Sequence, residues 1–197
     1  MSKPKLANPA LSISDADLTS ALAQIGAEID HQPLRSSALA RIMRETFHGS
    51  DAGGAWDWRM AYDLMQAAAV QVLLRGADAA GDIAAAKLLA SRLLTETRRS
   101  EQQIRLQQFS TPLPFAALVL RAAAIRKGET VLEPSAGTGA LAAFAVRAGA
   151  TLLLNEIDPF RQRLLRAVFG GEVAGHDGEH IDDLLQSPVL PDVVVMN

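Results

Sequence analysis

The chain has 197 residues, a formal net charge of −3 and a hydrophobic content of 49%, enough for one large domain or for a core with an appendage, and with no overall electrostatic pull toward nucleic acid. It contains no cysteine, which excludes disulfides, thiolate zinc sites and cysteine nucleophiles. No secretory signal follows Met1-Ser2-Lys3-Pro4-Lys5 and no apolar run approaches about 18 residues, so a soluble, cytoplasmic protein without membrane contact is expected.

The front of the chain predicts helices and no strands. Ser14 and Asp17 form a capping box, followed by Leu18, Leu22, Ile25 and Ile29 at helical spacing. Leu39, Ile42, Met43 and Phe47 make a second stripe, and Ser50-Asp51-Ala52-Gly53-Gly54 reads as a loop. A third helix carries Trp58, Tyr62, Met65, Ala69 and Val72 on one face and stops at Gly76. A fourth is expected from about Asp78 toward Ser100, with Ile83, Leu89, Leu93 and Leu94 apolar. Trp56 and Trp58 can stack on a base or ribose, but core packing accounts for them. Lys87, Arg92, Arg98, Arg99 and Arg105 alternate with Glu96 and Glu101 and read as a solvated helix face. His31 and His48 read as surface residues, and no chemistry is assigned to residues 1–105.

From Phe109 onward helix and strand alternate. Thr111 as N-cap and Pro112 at the first helical position open a helix that should end at Arg126-Lys127-Gly128. Strands are expected at Thr130 to Glu133, Thr151 to Glu156, about Glu172 to Gly175, and Asp192 to Met196. Helices are expected at Ala140 to Ala148, closed by Gly149, and from Asp158-Pro159 to Phe169, stopped by Gly170-Gly171, with a helical turn near Ile181 to Leu185. Such βα units with short connections imply a parallel sheet with helices on both faces. Val193, Val194 and Val195 would leave an exposed apolar edge, so Asn197 is expected to be a truncation point.

The stretch Val131-Leu132-Glu133-Pro134-Ser135-Ala136-Gly137-Thr138-Gly139 reads as strand, glycine turn and helix start, where a ligand can lie against bare backbone. Gly137-x-Gly139-x-x-Ala142, with Glu156 seventeen residues beyond Gly139, satisfies a permissive dinucleotide fingerprint. Glu133-Pro134-Ser135-Ala136 intervene between strand and glycine, however, and that fingerprint has no use for Phe109-Ser110-Thr111-Pro112 or Asn197. S-adenosylmethionine gives each piece a task. A carboxylate at a strand end can hold its ammonium group, Glu156 both ribose hydroxyls, Ile157 the adenine face and Asp177 the adenine amine. All lie at carboxyl ends of strands, where open α/β sheets bind ligands. His176 and His180 flank Glu179, but not in the order of a metal-binding helix motif, and no metal site is expected.

The series resembles the class I S-adenosylmethionine-dependent methyltransferases, specifically DNA adenine N6-methyltransferases, over roughly residues 105 to 197. The resemblance rests on Gln108-Phe109-Ser110-Thr111-Pro112, Glu133-Pro134-Ser135-Ala136-Gly137-Thr138-Gly139, Asn155-Glu156-Ile157-Asp158-Pro159, His176-Asp177-Gly178 and Asn197. It implies a Rossmann-like class I methyltransferase core, its parallel sheet incomplete at the C-terminus, in residues 106–197, behind an all-helical region in residues 1–105. It further implies that S-adenosyl-L-methionine is held by Phe109, Ser110, Thr111, Glu133, Pro134, Ala136, Gly137, Gly139, Glu156, Ile157, Asp177 and Gly178. Asn197 stands where the first residue of an Asn-Pro-Pro-aromatic catalytic motif belongs; the other three residues are missing, so this stretch is expected to be inactive by itself. A weaker resemblance, from Ala38 to Arg44 and Trp56-Asp57-Trp58, is to bacterial strawberry-notch-type proteins, which couple a methyltransferase to a downstream helicase-like ATPase. The implied reaction methylates an exocyclic amine, adenine N6 in DNA, on a base flipped from the duplex. Methylation of a protein glutamine or of RNA guanine N2, a non-catalytic cofactor sensor attached to an ATPase, and a Rossmann oxidoreductase remain as alternatives.

Overall fold

The computed structural model describes residues 13–76, 83–96, 110–185 and 190–197. In chain order the elements are α1 (Asp15–His31), α2 (Ser36–Thr46), α3 (Trp58–Arg75), α4 (Ile83–Ser91), α5 (Leu113–Ala123), β1 (Thr130–Glu133), α6 (Ala140–Arg147), β2 (Thr151–Asn155), α7 (Pro159–Phe169), β3 (Val173–Ala174), a 3-10 turn (Gly178–His180), α8 (Ile181–Leu184) and β4 (Val193–Val194). The fold is α/β with a parallel four-stranded sheet in the order β3-β2-β1-β4.

Local chemistry sets the helix starts. Ser14 accepts from Asp17 N–H at the head of α1, as the capping box predicts. Asp57 accepts from Met60 N–H to open α3, and Asp158 accepts from Phe160 and Arg161 N–H to open α7. The predicted stripes face inward: Leu18, Leu22, Ile25 and Ile29 on α1, and Leu39, Ile42 and Met43 on α2, are buried. Trp56 is buried, donates to the Gly49 carbonyl and meets Trp58 edge-on, so the pair serves packing.

Four expectations need correction. The fourth helix ends at Ser91, before Leu93 and Leu94, because the chain turns there. Arg92 consequently leaves the solvated face expected for it, and its guanidinium caps the α1 carbonyls of Ile29 and Asp30. Arg98, Arg99, Glu101 and Arg105 lie outside the described residues. The N-cap of α5 is Pro112, without a side-chain cap bond, and its carbonyl accepts from Phe115 and Ala116; Thr111 is occupied elsewhere. That helix stops at Ala124, a non-glycine residue at φ 51°, and not at Gly128. α6 and α7 pack on the strands, and α8, on the β3–β4 crossover, is one turn long with no buried residue.

α3 lies at the centre. It packs on α1, α2 and α4 on one side and on α6 and α7 on the other. One hydrophobic cluster therefore runs from Leu18 and Ile25 through Leu64 and Met65 to Val131, Phe144, Leu164 and Val195, across the expected boundary at 105/106. Among the described residues no helix is long and apolar enough to cross a membrane.

Candidate functional site

The order β3-β2-β1-β4 reverses direction beside β1, and a parallel sheet opens a crevice at such a point, outside the carboxyl ends of its strands. Each predicted motif within the described residues sits at that edge: Glu133 to Gly139 after β1, Glu156 and Ile157 after β2, Asp177 and Gly178 after β3, and Asn197 after β4. Phe109 lies outside the described residues, but Ser110 and Thr111 reach the same edge. The Asn197 side-chain amide donates to Thr111 Oγ1 at 2.9 Å, joining residues 86 positions apart.

The glycine turn is built as predicted. Gly137 and Gly139 adopt φ 57° and 89°, a region that favours residues without Cβ. At Gly139 a Cβ would also lie 2.4 Å from a Phe169 ring carbon, so the turn and α7 touch. Gly178 approaches the turn from the far side, where a Cβ would stand 3.1 Å from the Pro134 carbonyl and 3.0 Å from Ser135 Oγ.

The carboxylates do more internal bonding than their sequence reading implies. Glu133 is buried, and its Oε2 accepts from Ala142 N–H at 2.9 Å in the first turn of α6. Burial pushes its carboxyl well above the usual glutamate range, against the hydrogen bond from Ala142 and with the added repulsion of Glu156. Glu156 is also buried; Oε2 accepts from Gly137 N–H and Oε1 from Asp158 N–H, both at 2.8 Å. Burial raises its pKa, partly offset by these N–H donors and by Arg161. Glu156 thus holds the glycine turn and the start of α7, and a diol at this carboxylate would share or replace those donors. Ile157, beside it, is 46% exposed and offers an apolar surface. Asp177 is exposed, and its Oδ1 accepts from Glu179 N–H, fixing the 3-10 turn.

Three further groups escaped the sequence reading. Asn155 is buried, and its amide donates to the carbonyls of Pro134 (2.7 Å) and His176 (2.9 Å) while accepting from His176 N–H (2.9 Å). It laces the turn after β1 to the loop after β3. Gln66 on α3 accepts from Thr138 Oγ1 at 3.2 Å and from Ser110 Oγ, linking the glycine turn to the segment before α5. Finally, Arg161 donates twice to Asp63 Oδ1 (3.1 and 2.8 Å), and Arg59 pairs with Asp158 and stands 3.9 Å from Asp63 Oδ2. Burial disfavours the charge of Arg161, but Asp63, together with Glu156 and Asp158, holds the guanidinium more firmly protonated. Burial also pushes Asp158 up, yet the hydrogen bond and charge of Arg59 keep it below the usual aspartate range. A polar residue at a helical position gives no sign of a partner about a hundred residues away; the interruption of an apolar helix by Arg59, Asp63 and Gln66 was the available signal.

A cavity of about 290 Å³ adjoins this edge, between α3, the end of α4 and the segment Ser110 to Leu113. Its polar lining is Gln66, Thr95, Ser110, Thr111 and Thr138; no charged side chain contributes among the described residues. It does not reach Glu156, Asp177 or Asn197.

No protein-family model matches this chain, and no curated protein or solved structure does either.

Proposed function

We propose that the chain carries the cofactor site of a class I S-adenosylmethionine-dependent methyltransferase acting on an exocyclic amino group, adenine N6 in DNA being the acceptor. The Asn197–Thr111 hydrogen bond carries the reading. It sets a strand-end asparagine against the segment that precedes the first βα unit, at the switch point and beside a glycine turn, and a dinucleotide site requires no such pair.

The residues fit the cofactor in kind. The glycine turn has no Cβ at Gly137 or Gly139, leaving backbone for close approach. The 290 Å³ cavity beside Thr138 combines hydroxyls with aliphatic walls, as a polar amino-acid tail on methylenes requires. Glu156 and exposed Ile157 offer a carboxylate and an apolar face side by side for a nucleoside. When bound, S-adenosylmethionine supplies an electrophilic methyl group. The side-chain carbonyl of Asn197 would accept from the acceptor amine and so free its nitrogen lone pair, while Thr111 orients the amide by accepting from its Nδ2. Glu133, whose carboxyl burial pushes well above the usual glutamate range, fixes the turn through Ala142. Rate acceleration by such a site comes from alignment.

Calorimetric titration with S-adenosylmethionine and with NADH, followed by transfer of a tritiated methyl group to unmethylated DNA by a chain extended through the complete Asn-Pro-Pro-aromatic motif, tests the reading. Binding of the first ligand alone, and label in N6-methyladenine that Asn197→Ala abolishes, is expected. Binding of NADH alone overturns the cofactor. Binding without label in DNA overturns the acceptor and leaves protein, RNA or a sensing role.

A further inference from the structure

We propose that Gln66, on the helical bundle and outside every motif, is a binding residue that donates to the carboxylate of the ligand's amino-acid moiety; this rests on the cofactor reading above. Three observations converge. Gln66 lines the 290 Å³ cavity together with three hydroxyl side chains, Ser110, Thr111 and Thr138, which border the glycine turn and the segment before α5. Its Oε1 is fully engaged, accepting from Ser110 and Thr138 hydroxyls. Its Nε2 has no acceptor among the described residues, so this half-buried amide, which lines the cavity, keeps two N–H donors in reserve there.

The lining decides the ligand chemistry. Among the described residues the lining holds neither a carboxylate to select a cation nor the lysine or arginine that the two charges of a phosphate call for. Neutral hydroxyl and amide donors on aliphatic walls suit a single carboxylate carried on methylenes. Ser110 and Thr138 each hold one proton now given to Gln66; rotation of either hydroxyl, together with Gln66 Nε2, would surround one carboxylate oxygen pair with donors. The helical bundle is then a wall of the ligand site as well as its support.

S-adenosylhomocysteine, which carries the amino-acid tail, and 5′-methylthioadenosine, which lacks it, separate this role from a structural one. Calorimetric titration of both into wild type, Gln66→Glu and Gln66→Met is the experiment. Gln66→Glu keeps an oxygen to accept from Ser110 and Thr138 but removes the N–H donors and opposes a carboxylate. We expect it to weaken S-adenosylhomocysteine about ten- to a hundredfold and to leave 5′-methylthioadenosine within twofold, with Gln66→Met showing the same selectivity. Equal weakening of both ligands, or unchanged affinity for S-adenosylhomocysteine, overturns the assignment. Wild type that binds neither ligand refutes the cofactor reading itself, and wild type that binds both equally refutes only the tail pocket.

Discussion

Asp63→Ala tests whether the charges between α3 and α7 hold the two halves of the chain together. The side chains of Asp63 and Arg161 are 2% and 4% exposed, so the substitution leaves a guanidinium buried, with both of its hydrogen bonds to Asp63 lost. Breaking a buried pair from one side costs about 3–5 kcal/mol, a fifth or more of the roughly 5–15 kcal/mol that stabilises a typical domain. With a urea slope of about 2 kcal/mol/M, the unfolding midpoint should fall by ~1.5–2.5 M at constant slope. Asp63→Asn keeps the volume and one acceptor and should lose about half as much. The double variant Asp63→Leu with Arg161→Met should recover most of the loss, because no charge is left unpaired. A loss below about 1 kcal/mol for Asp63→Ala, or a double variant as unstable as the sum of the singles, would refute the network as the tie between the halves.

Three other outcomes follow from the edge of the sheet. Because burial raises the pKa of Glu133 in the folded chain, its contribution to stability is complete below about 4.3 and is lost as pH rises through the raised value; urea midpoints for Glu133→Gln should therefore gain on wild type as pH rises from 5 to 8, and a constant difference would contradict the shift. Gly139→Ala combines a left-handed backbone with a contact 2.4 Å from Phe169, and should lower stability by about 2–4 kcal/mol. At Gly128, also left-handed but open, alanine should cost only ~1–2 kcal/mol, so equal losses in thermal unfolding would deny the clash. Asn155→Ala strips partners from Pro134 and His176, costs about 3 kcal/mol, and should speed amide exchange at His176; unchanged exchange there would count against the lacing of the two loops.

The sequence announced what repeats locally. Apolar residues at helical spacing placed α1 and α2, Asp158-Pro159 opened α7 where expected, and short apolar runs between glycines located the strands. Ends were harder to place: Ala124 turns left-handed without being glycine, so α5 stops where no breaker is written. The glycine turn and the strand-end acids were legible because ligand-facing chemistry is crowded into short segments. Asp63, Gln66 and Asn155 were not, since each acts through a partner distant in the chain and looks locally like an ordinary surface position. The division at 105/106 marks a real change of pattern, but one cluster of apolar side chains ignores it.

Arg59, Asp63 and Gln66 follow one another at intervals of four and three on α3, so they share one side of a rod over about 10 Å. One end of that side grips Asp158 and Arg161, next to Glu156; the other grips Ser110 and Thr138. A helix slides or rolls as a unit, so both grips shift together and by comparable amounts. The loops at opposite flanks of the crevice are thus tied to one rod, and the spacing between them is set by the distance between two grips on a single helix.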